Sequence, residues 1–209
     1  ILLTEGSHPL EGDLANVQKL YDEGYRIMGL QHFFDNRLGG SLHGQSGDGL
    51  TEFGKAAVSE MERLGIIIDV AHSSPAVVRN VLTLSNRPII VSHTGLKGAC
   101  DSPRNLEDDL MKEIAAKGGL IGIGFWDAAV CDYTPAGIVR SIRYGIDLLG
   151  VDHVALGSDY DGSTTVLMDA AEIPALTHEM LNAGFTEVEI RKVMGENAVR
   201  LLRDLLPQE

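Results

Sequence analysis

Five carboxylate and imidazole side chains each lie within three residues of the end of a short apolar run. These residues are Glu5, His32, His72, His93 and Asp159. Carboxylates and imidazoles are ligands that Zn²⁺ takes from proteins, and both groups can also transfer protons during catalysis. Their recurrence after separate apolar runs predicts a chemical site assembled from distant parts of the chain.

The apolar runs have the composition of buried β-strands. They are short, continuous and rich in Ile and Val, as strands covered on both faces should be. Amphipathic stretches with helical spacing separate them, and Thr51, Ser74 and Thr134 have the character of helix N-caps. The six predicted strands are Ile1–Thr4, Arg26–Leu30, Ile66–Val70, Pro88–Val91, Leu120–Gly124 and His153–Leu156. The predicted helices cover about 13–22, the stretches that follow the three N-caps, 106–117, 173–182, 186–194 and 196–205.

Regular alternation of strands and helices predicts an α/β fold with a parallel sheet. We expect one domain over residues 1–209, a TIM-type (β/α)8 barrel. Six βα units can be counted where eight close a barrel, so the first one or two units are expected to be missing from this domain. An open doubly wound sheet is the competing architecture, but no GxGxxG or P-loop turn follows any predicted strand.

The carboxyl ends of parallel strands form the active-site face of such barrels. Glu5, His72 and His93 would come from three different strands, and three protein ligands with one open position are typical of catalytic zinc. Each residue could instead have an ordinary structural role, because single histidines at strand ends commonly make structural hydrogen bonds and Asp is frequent in turns. The remaining histidines, His8, His43, His153 and His178, are assigned to structural or surface positions.

Composition excludes some partners. A net charge of −13 and a sequence pI near 4.9 disfavour binding to a phosphate backbone, so no nucleic acid partner is expected. Cys100 and Cys131 are interpreted as buried free thiols rather than a disulfide framework. No apolar stretch reaches the ~18 residues of a transmembrane helix, and no signal peptide is visible. Localisation stays open between the cytoplasm and export or membrane anchoring, because the N-terminal segment that would decide it is absent.

Seven stretches of the sequence carry a family signature by their order and spacing. They are Glu5-Gly6-Ser7-His8, Gly29-Leu30-Gln31-His32, Gly49-Leu50-Thr51-Glu52-Phe53-Gly54, Arg63 to His72, Val91-Ser92-His93, Cys100-Asp101-Ser102-Pro103-Arg104-Asn105 and Gly157-Ser158-Asp159-Tyr160-Asp161-Gly162. Together they closely resemble the membrane (renal) dipeptidase family of zinc metallopeptidases, which implies a (β/α)8 barrel of the metal-dependent hydrolase type. The resemblance extends from Glu5 to the end of the chain.

The resemblance implies a dipeptidase that cleaves the peptide bond of dipeptides, including those with a C-terminal D-residue, through a metal-bound hydroxide. Glu5 would bridge two zinc ions, and His72 and His93 would bind one of them. His32 would contact the substrate and stabilise the oxyanion. Arg104 would hold the substrate carboxylate, and Asp159 would contact the substrate and transfer the proton. The family dimer implies a possible homodimer.

The sequence departs from the family at the second metal. The family carries a His-x-Asp motif on its first strand, and no such motif is present here. Either the motif lies on an upstream segment, or this chain binds one zinc at best. Two rival functions stay open: a related barrel metallohydrolase acting on another amide, and a truncated or non-catalytic barrel. Phe125 and Trp126 are predicted either to line the pocket or to pack in the core.

Overall fold

The computed structural model describes residues 1–206 as alternating strands and helices, and the last three residues of the predicted domain lie outside this range. Six strands follow one another in chain order, β1-β2-β3-β4-β5-β6. A doubly wound sheet would reverse its strand order at a switch point, so the sequential order excludes that architecture. The strands are Leu2–Thr4 (β1), Tyr25–Gly29 (β2), Ile67–Asp69 (β3), Ile90–Thr94 (β4), Leu120–Ile123 (β5) and Val154–Leu156 (β6).

Nine α-helices occur within residues 1–206. They are Ala15–Asp22 (α1), Glu52–Leu64 (α2), Pro75–Leu84 (α3), Asp108–Ala116 (α4), Asp127–Val130 (α5), Pro135–Leu149 (α6), Pro174–Asn182 (α7), Glu187–Arg191 (α8) and Asn197–Leu205 (α9). Short 3₁₀ turns cover His8–Leu10 and Val151–His153, and a π-helical turn covers Lys192–Glu196. None of these helices is both long and apolar enough to cross a bilayer.

The chain divides into two compact units. The first comprises Ile1–Val91 together with Leu202–Leu206. Its strands pair in parallel, with Thr4 opposite Met28, Gly29 opposite Asp69, and Asp69 opposite Ile90. Helices α2 and α3 supply apolar side chains to its core, which includes Val17, Met28, Val58, Met61, Ile67, Ile68, Val77 and Val81.

The second unit comprises Ser92–Leu201. In it β5 pairs in parallel with β6, with Gly122 opposite Ala155. Its buried side chains include Leu96, Leu110, Ile114, Ile121, Ile123, Phe125, Ile138, Ile142, Val154, Leu176 and Met180. Helix α6 contributes Ile138, Val139 and Ile142 to this core.

The three predicted N-caps are confirmed. The hydroxyls of Thr51, Ser74 and Thr134 accept hydrogen bonds from the third residue of the following helix, at 3.0–3.1 Å. A proline occupies the first helical position after Ser74 and Thr134, where its lack of an N–H is harmless. These short-range rules therefore locate three helix starts to the residue.

Three local predictions need correction. Strand β4 begins two residues later than the apolar run indicates and extends through His93, because polar side chains can continue a strand whose backbone stays paired. Strand β1 is not buried on both faces: Leu2 and Leu3 are exposed, and within residues 1–206 it pairs only with β2. The short helix α5, which follows Trp126, was not predicted, since one turn has no usable periodicity.

The interpretation of both cysteines as free thiols is wrong. Cys100 and Cys131 form a disulfide in the second unit, with their Cα atoms 5.5 Å apart. Cys100 lies in the segment between β4 and α4, and Cys131 caps the end of α5. A pair 31 residues apart carries no sequence signal for this contact, because only the fold brings the two segments together.

An ion pair stabilises the start of α8 in the second unit. Glu189 accepts from Arg143 at 2.8 Å and closes a capping box with Thr186, whose backbone N–H it also accepts. The Arg143 hydrogen bond and the Thr186 backbone hydrogen bond lower the pKa of Glu189 to about 2. Its carboxylate therefore stays charged far below the pH at which an ordinary glutamate is protonated.

Replacing Glu189 by Gln should lower stability only where the native carboxylate is charged. Because its folded pKa lies below the ordinary glutamate pKa of 4.5, its contribution is complete above that pH and disappears as the pH falls toward 2. We expect Glu189→Gln to reduce the free energy of unfolding by ~2 kcal/mol at pH 7 and by far less near pH 2. Urea unfolding at both pH values measures this.

Glu187→Gln is the matched control, because Glu187 lies on the same helix but is exposed and 3.8 Å from its partner Arg191. It should change stability by less than ~0.5 kcal/mol. A Glu189→Gln loss that is the same at pH 7 and pH 2 would contradict the ion-pair explanation.

Candidate functional site

In the first unit, the carboxyl ends of β1, β2 and β3 bring Glu5, His32 and His72 together. Glu5 Oε1 lies 2.9 Å from His72 Nε2 and 3.6 Å from His32 Nε2. The two imidazole rings meet edge to face, with centroids 4.7 Å apart. Both imidazoles therefore approach the same carboxylate oxygen of Glu5, as expected for residues that follow neighbouring parallel strands.

The donor set of Glu5 and His72 suits a divalent metal. Carboxylate oxygen and imidazole nitrogen are both zinc ligands, and bonds of about 2.0–2.1 Å at tetrahedral angles place neighbouring ligand atoms roughly 3.3 Å apart. The 2.9 Å separation of Glu5 Oε1 and His72 Nε2 is close to that spacing. The side chain of His72 is 6% exposed and that of Glu5 is 35% exposed, so the pair is reachable from solvent through the carboxylate.

The segment between β2 and α2 holds both histidine backbones in place. Ser41 Oγ donates to the carbonyl oxygen of His32 at 2.5 Å and to that of His72 at 3.2 Å. Ser73 Oγ donates to Gln31 Oε1 at 2.6 Å, which links the residues next to the two histidines. Because these groups are largely buried, their hydrogen bonds limit how far His32 and His72 can move apart.

Asp35 organises the same segment. Its carboxylate accepts backbone hydrogen bonds from Ser41 at 2.8 Å and from Gln45 and Ser46 at 3.0 Å. These bonds, with that from Ser41 first, hold the pKa of Asp35 below its ordinary value. Gly44 is required beside it, because a Cβ at that position would lie 1.7 Å from Asp35 Oδ1. The segment is therefore held by a carboxylate that stays charged at neutral pH.

His43, assigned from the sequence to a structural or surface position, lies beside these residues. Its ring centroid is 5.3 Å from that of His72 and 5.2 Å from that of Phe33. Phe33 in turn packs on His32 at 4.4 Å while remaining 48% exposed. No sequence signal indicated His43, because the irregular segment that carries it has neither helical nor strand periodicity.

In the second unit, β4 carries His93. The ring is buried, and its Nδ1 lies 2.9 Å from Ser92 Oγ. This contact engages Nδ1, so the ring orientation is set by the neighbouring hydroxyl. The ring of Trp126 lies 6.0 Å from that of His93. His93 thus occupies a rigid position near the carboxyl end of its strand.

Arg104 lies beside His93 and Trp126 and is almost fully buried. Its Nη2 donates to the carbonyl oxygen of His93 at 2.7 Å, and its Nη1 donates to Thr94 Oγ1 at 3.4 Å. Its guanidinium carbon lies 5.5 Å from the centre of the Trp126 ring, within the range of a cation–π contact. A buried guanidinium with these neighbours is a fixed positive charge.

Asp159 lies in the turn after β6 and is half-buried. Its φ of 59° is in the left-handed region, which Asp tolerates better than most residues. Gly162 N and Thr164 Oγ1 donate to its carbonyl oxygen at 3.1 and 2.9 Å. A Cβ on Gly162 would lie 2.3 Å from Asp159 Oδ1, so the glycine gives the carboxylate its space. The turn therefore fixes the backbone at Asp159, and Gly162 leaves room for its carboxylate.

The two aromatic residues after β5 have different environments. Phe125 is fully buried and packs edge to face on Tyr160 with ring centroids 5.8 Å apart. Trp126 contacts Arg104 and His93 instead. Phe125 therefore packs in the core, which was one of the two environments predicted for this pair. Trp126 instead lies beside two predicted site residues, Arg104 and His93.

The solved structures that resemble this chain include an amidohydrolase and two metallopeptidases. An amidohydrolase from Pseudomonas aeruginosa is 28% identical with a TM-score of 0.87, over 97% of this chain and 71% of that one. A dipeptidase described as a metallopeptidase of family M19 is 29% identical with a TM-score of 0.88, over 98% of this chain and 63% of that one. A Rhodobacter sphaeroides metallopeptidase, bound to a phosphinate mimic of L-Ala-D-Ala, is 29% identical with a TM-score of 0.88, over 99% and 63%.

This chain therefore spans less than two thirds of the length of either metallopeptidase. Its residues 1–206 match the family described as membrane dipeptidase (Peptidase family M19). The match covers nearly the whole sequence and includes the segments that carry all six predicted site residues. The chain belongs to the membrane dipeptidase family, Peptidase family M19.

Proposed function

We propose that this chain acts in the zinc-dependent hydrolysis of dipeptides. The observation that carries the proposal is the convergence of the Glu5 carboxylate with the imidazoles of His72 and His32, at strand ends, in a member of a dipeptidase family. The L-Ala-D-Ala mimic bound to the Rhodobacter sphaeroides metallopeptidase supports a C-terminal D-residue as an accepted substrate feature.

Glu5, His72 and His93 are the proposed ligands of one zinc, and each offers one ligand atom. Glu5 would also bridge to a second zinc, for which the proposal assigns no other ligand within residues 1–206. Bound zinc would act as a Lewis acid on the scissile carbonyl and lower the pKa of water to about 7.

The other proposed residues orient the substrate and move the proton. His32 would donate a hydrogen bond to the oxygen of the scissile carbonyl as negative charge develops there. Asp159 would accept the proton of the attacking water and return it to the leaving amine. Arg104 would bind the C-terminal carboxylate, since a planar guanidinium matches a carboxylate with two parallel hydrogen bonds.

A side chain that binds the substrate's C-terminal carboxylate near the scissile bond would restrict the length of peptide that the site accepts. The C-terminal carboxylate of a dipeptide lies one residue beyond its only peptide bond, whereas in a longer peptide that bond is followed by further residues. Arg104 Nη2 donates at 2.7 Å to the backbone carbonyl oxygen of His93, itself a proposed zinc ligand, so the clamp would be anchored to the same residue as the metal. This geometry favours dipeptides over longer chains.

The amidohydrolase from Pseudomonas aeruginosa favours a second candidate, hydrolysis of an amide other than a dipeptide. The two functions differ in their need for a free carboxylate beside the scissile bond. A panel that pairs each dipeptide with its C-terminal amide separates them: dipeptidase activity requires the carboxylate, and general amidase activity does not.

Removing His93 should abolish metal binding at the proposed site. We expect His93→Ala to weaken zinc binding by more than ~100-fold, beyond the effect usual for a residue that only supports a ligand. Zinc retained after dialysis against limiting free metal measures this. His153→Ala is the control, because His153 contacts the Gly119 carbonyl oxygen and should leave zinc binding unchanged. Unaltered zinc affinity in His93→Ala would remove His93 from the site.

Replacing Arg104 by Lys should raise KM much more than it lowers kcat. A lysine keeps the charge but loses the planar pair of donors, so we expect KM to rise by about tenfold or more. Steady-state kinetics with a dipeptide measures both constants. Arg143→Lys is the control, because Arg143 also stacks on an aromatic ring, that of Phe185 at 3.7 Å. Equal losses in kcat and kcat/KM would instead place the role of Arg104 in the transition state alone.

A further inference from the structure

The buried amide of Asn105 joins three parts of the second unit. Its Oδ1 accepts from Gly95 N, and its Nδ2 donates to the carbonyl oxygens of Cys100 and Ala129, all at 2.9 Å. An asparagine amide has two donor hydrogens and one acceptor oxygen, and each has a partner here. Asn105 is 3% exposed. Its hydrogen bonds join two parts of the segment between β4 and α4, and they join that segment to helix α5.

The disulfide ties the same two segments a second time. Cys100, whose carbonyl oxygen accepts from Asn105, is bonded through its Sγ to Cys131 at the end of α5. Gly95 also lies against α5, where a Cβ would be 1.7 Å from the Ala129 carbonyl oxygen. One buried amide and one covalent bond thus act in parallel across a single contact.

Arg104 and Trp126 lie directly next to these ties. Arg104 precedes Asn105 in the sequence, and Trp126 precedes the first residue of α5. The guanidinium of Arg104 faces the Trp126 ring at 5.5 Å, so its position depends on how the two segments are joined. Movement of either segment would change both this contact and the direction of the guanidinium.

We propose that Asn105 is a positioning residue which, together with the Cys100–Cys131 disulfide, holds Arg104 against Trp126 and so sets affinity for the substrate's C-terminal carboxylate. The inference rests on the proposed function of Arg104. Two parallel hydrogen bonds to a carboxylate demand alignment of both planes, so a displaced guanidinium would bind the carboxylate less tightly. Asn105 would act only through Arg104, without touching substrate.

Asn105→Asp is the most informative variant because it keeps the size and the acceptor of the side chain. It replaces the amide donors by an oxygen that faces the carbonyl oxygens of Cys100 and Ala129, so those contacts become repulsive. We expect KM for a dipeptide to rise about tenfold or more while kcat changes by less than about threefold. The kcat/KM for the matching C-terminal amide should not change.

Asn197→Asp is the matched control. Asn197 is equally buried in the same unit, and its Nδ2 likewise donates to two carbonyl oxygens, those of Val151 and Val154 at 2.7 and 2.9 Å. The control should lose stability in the same way and keep its KM. Equal KM changes in both variants, or a kcat loss without a KM change in Asn105→Asp, would overturn the positioning role.

A second measurement does not depend on activity. Trp126 is the single tryptophan of the chain, so its fluorescence reports on the Arg104 contact. Asn105→Asp should shift Trp126 emission to longer wavelength and raise its quenching by acrylamide, and Asn197→Asp should do neither. Dithiothreitol can also reduce the Cys100–Cys131 bridge of the intact chain to two cysteine thiols, and the reagent is itself oxidised to a cyclic disulfide.

Reduction tests the disulfide without a substitution at Asn105, and so remains decisive if Asn105→Asp does not fold. The Cys100→Ser, Cys131→Ser double variant should match the reduced chain and be insensitive to dithiothreitol. Unchanged Trp126 emission after reduction and in Asn105→Asp would refute the inference even if the chain is an active dipeptidase. The expected emission changes in a chain without dipeptidase activity would instead contradict the proposed function alone.

Discussion

Parallel pairing of β1, β2 and β3 is the constraint on which the positions of Glu5, His32 and His72 depend. In-register parallel strands end at the same edge of a sheet, so residues just beyond those ends must meet. With Gly29 opposite Asp69, the two histidines follow their strands by the same three residues. A slip of one residue in either strand would reverse the direction of its side chains and separate the imidazoles from Glu5.

The two units hold their polar residues in different ways. In the first, hydroxyl and carboxylate groups of one irregular segment, Ser41 and Asp35, bind backbone groups around the histidines. In the second, a buried amide and a disulfide hold the segment that carries Arg104. Both arrangements rely on buried hydrogen bonds to backbone carbonyl oxygens, and the second adds a covalent bond between the same segments.

Features that depend on neighbours in sequence could be predicted, and those that depend on distant partners could not. Three N-caps and all six strands follow from local rules, and the family motifs identify six candidate site residues. The disulfide, the amide of Asn105 and the approach of His43 to His72 depend on contacts between segments far apart in the chain. The start of β4 was misplaced because hydrophobicity, the signal used, does not mark where backbone pairing begins or ends.

The buried position of Arg104 suits the proposed binding of a small zwitterion by an acidic chain. A net charge of −13 repels free carboxylates. Salt in the solvent largely screens that repulsion between charges that are more than about 8–10 Å apart. A dipeptide carries both a positive and a negative terminus, so its net interaction with the distant charges is small and its orientation is set at close range. There, a guanidinium removed from water interacts with a carboxylate more strongly than an exposed lysine would. The proposed clamp therefore needs a cation that is buried and held in one orientation. Asn105 and the disulfide would provide this by fixing the segment that carries Arg104.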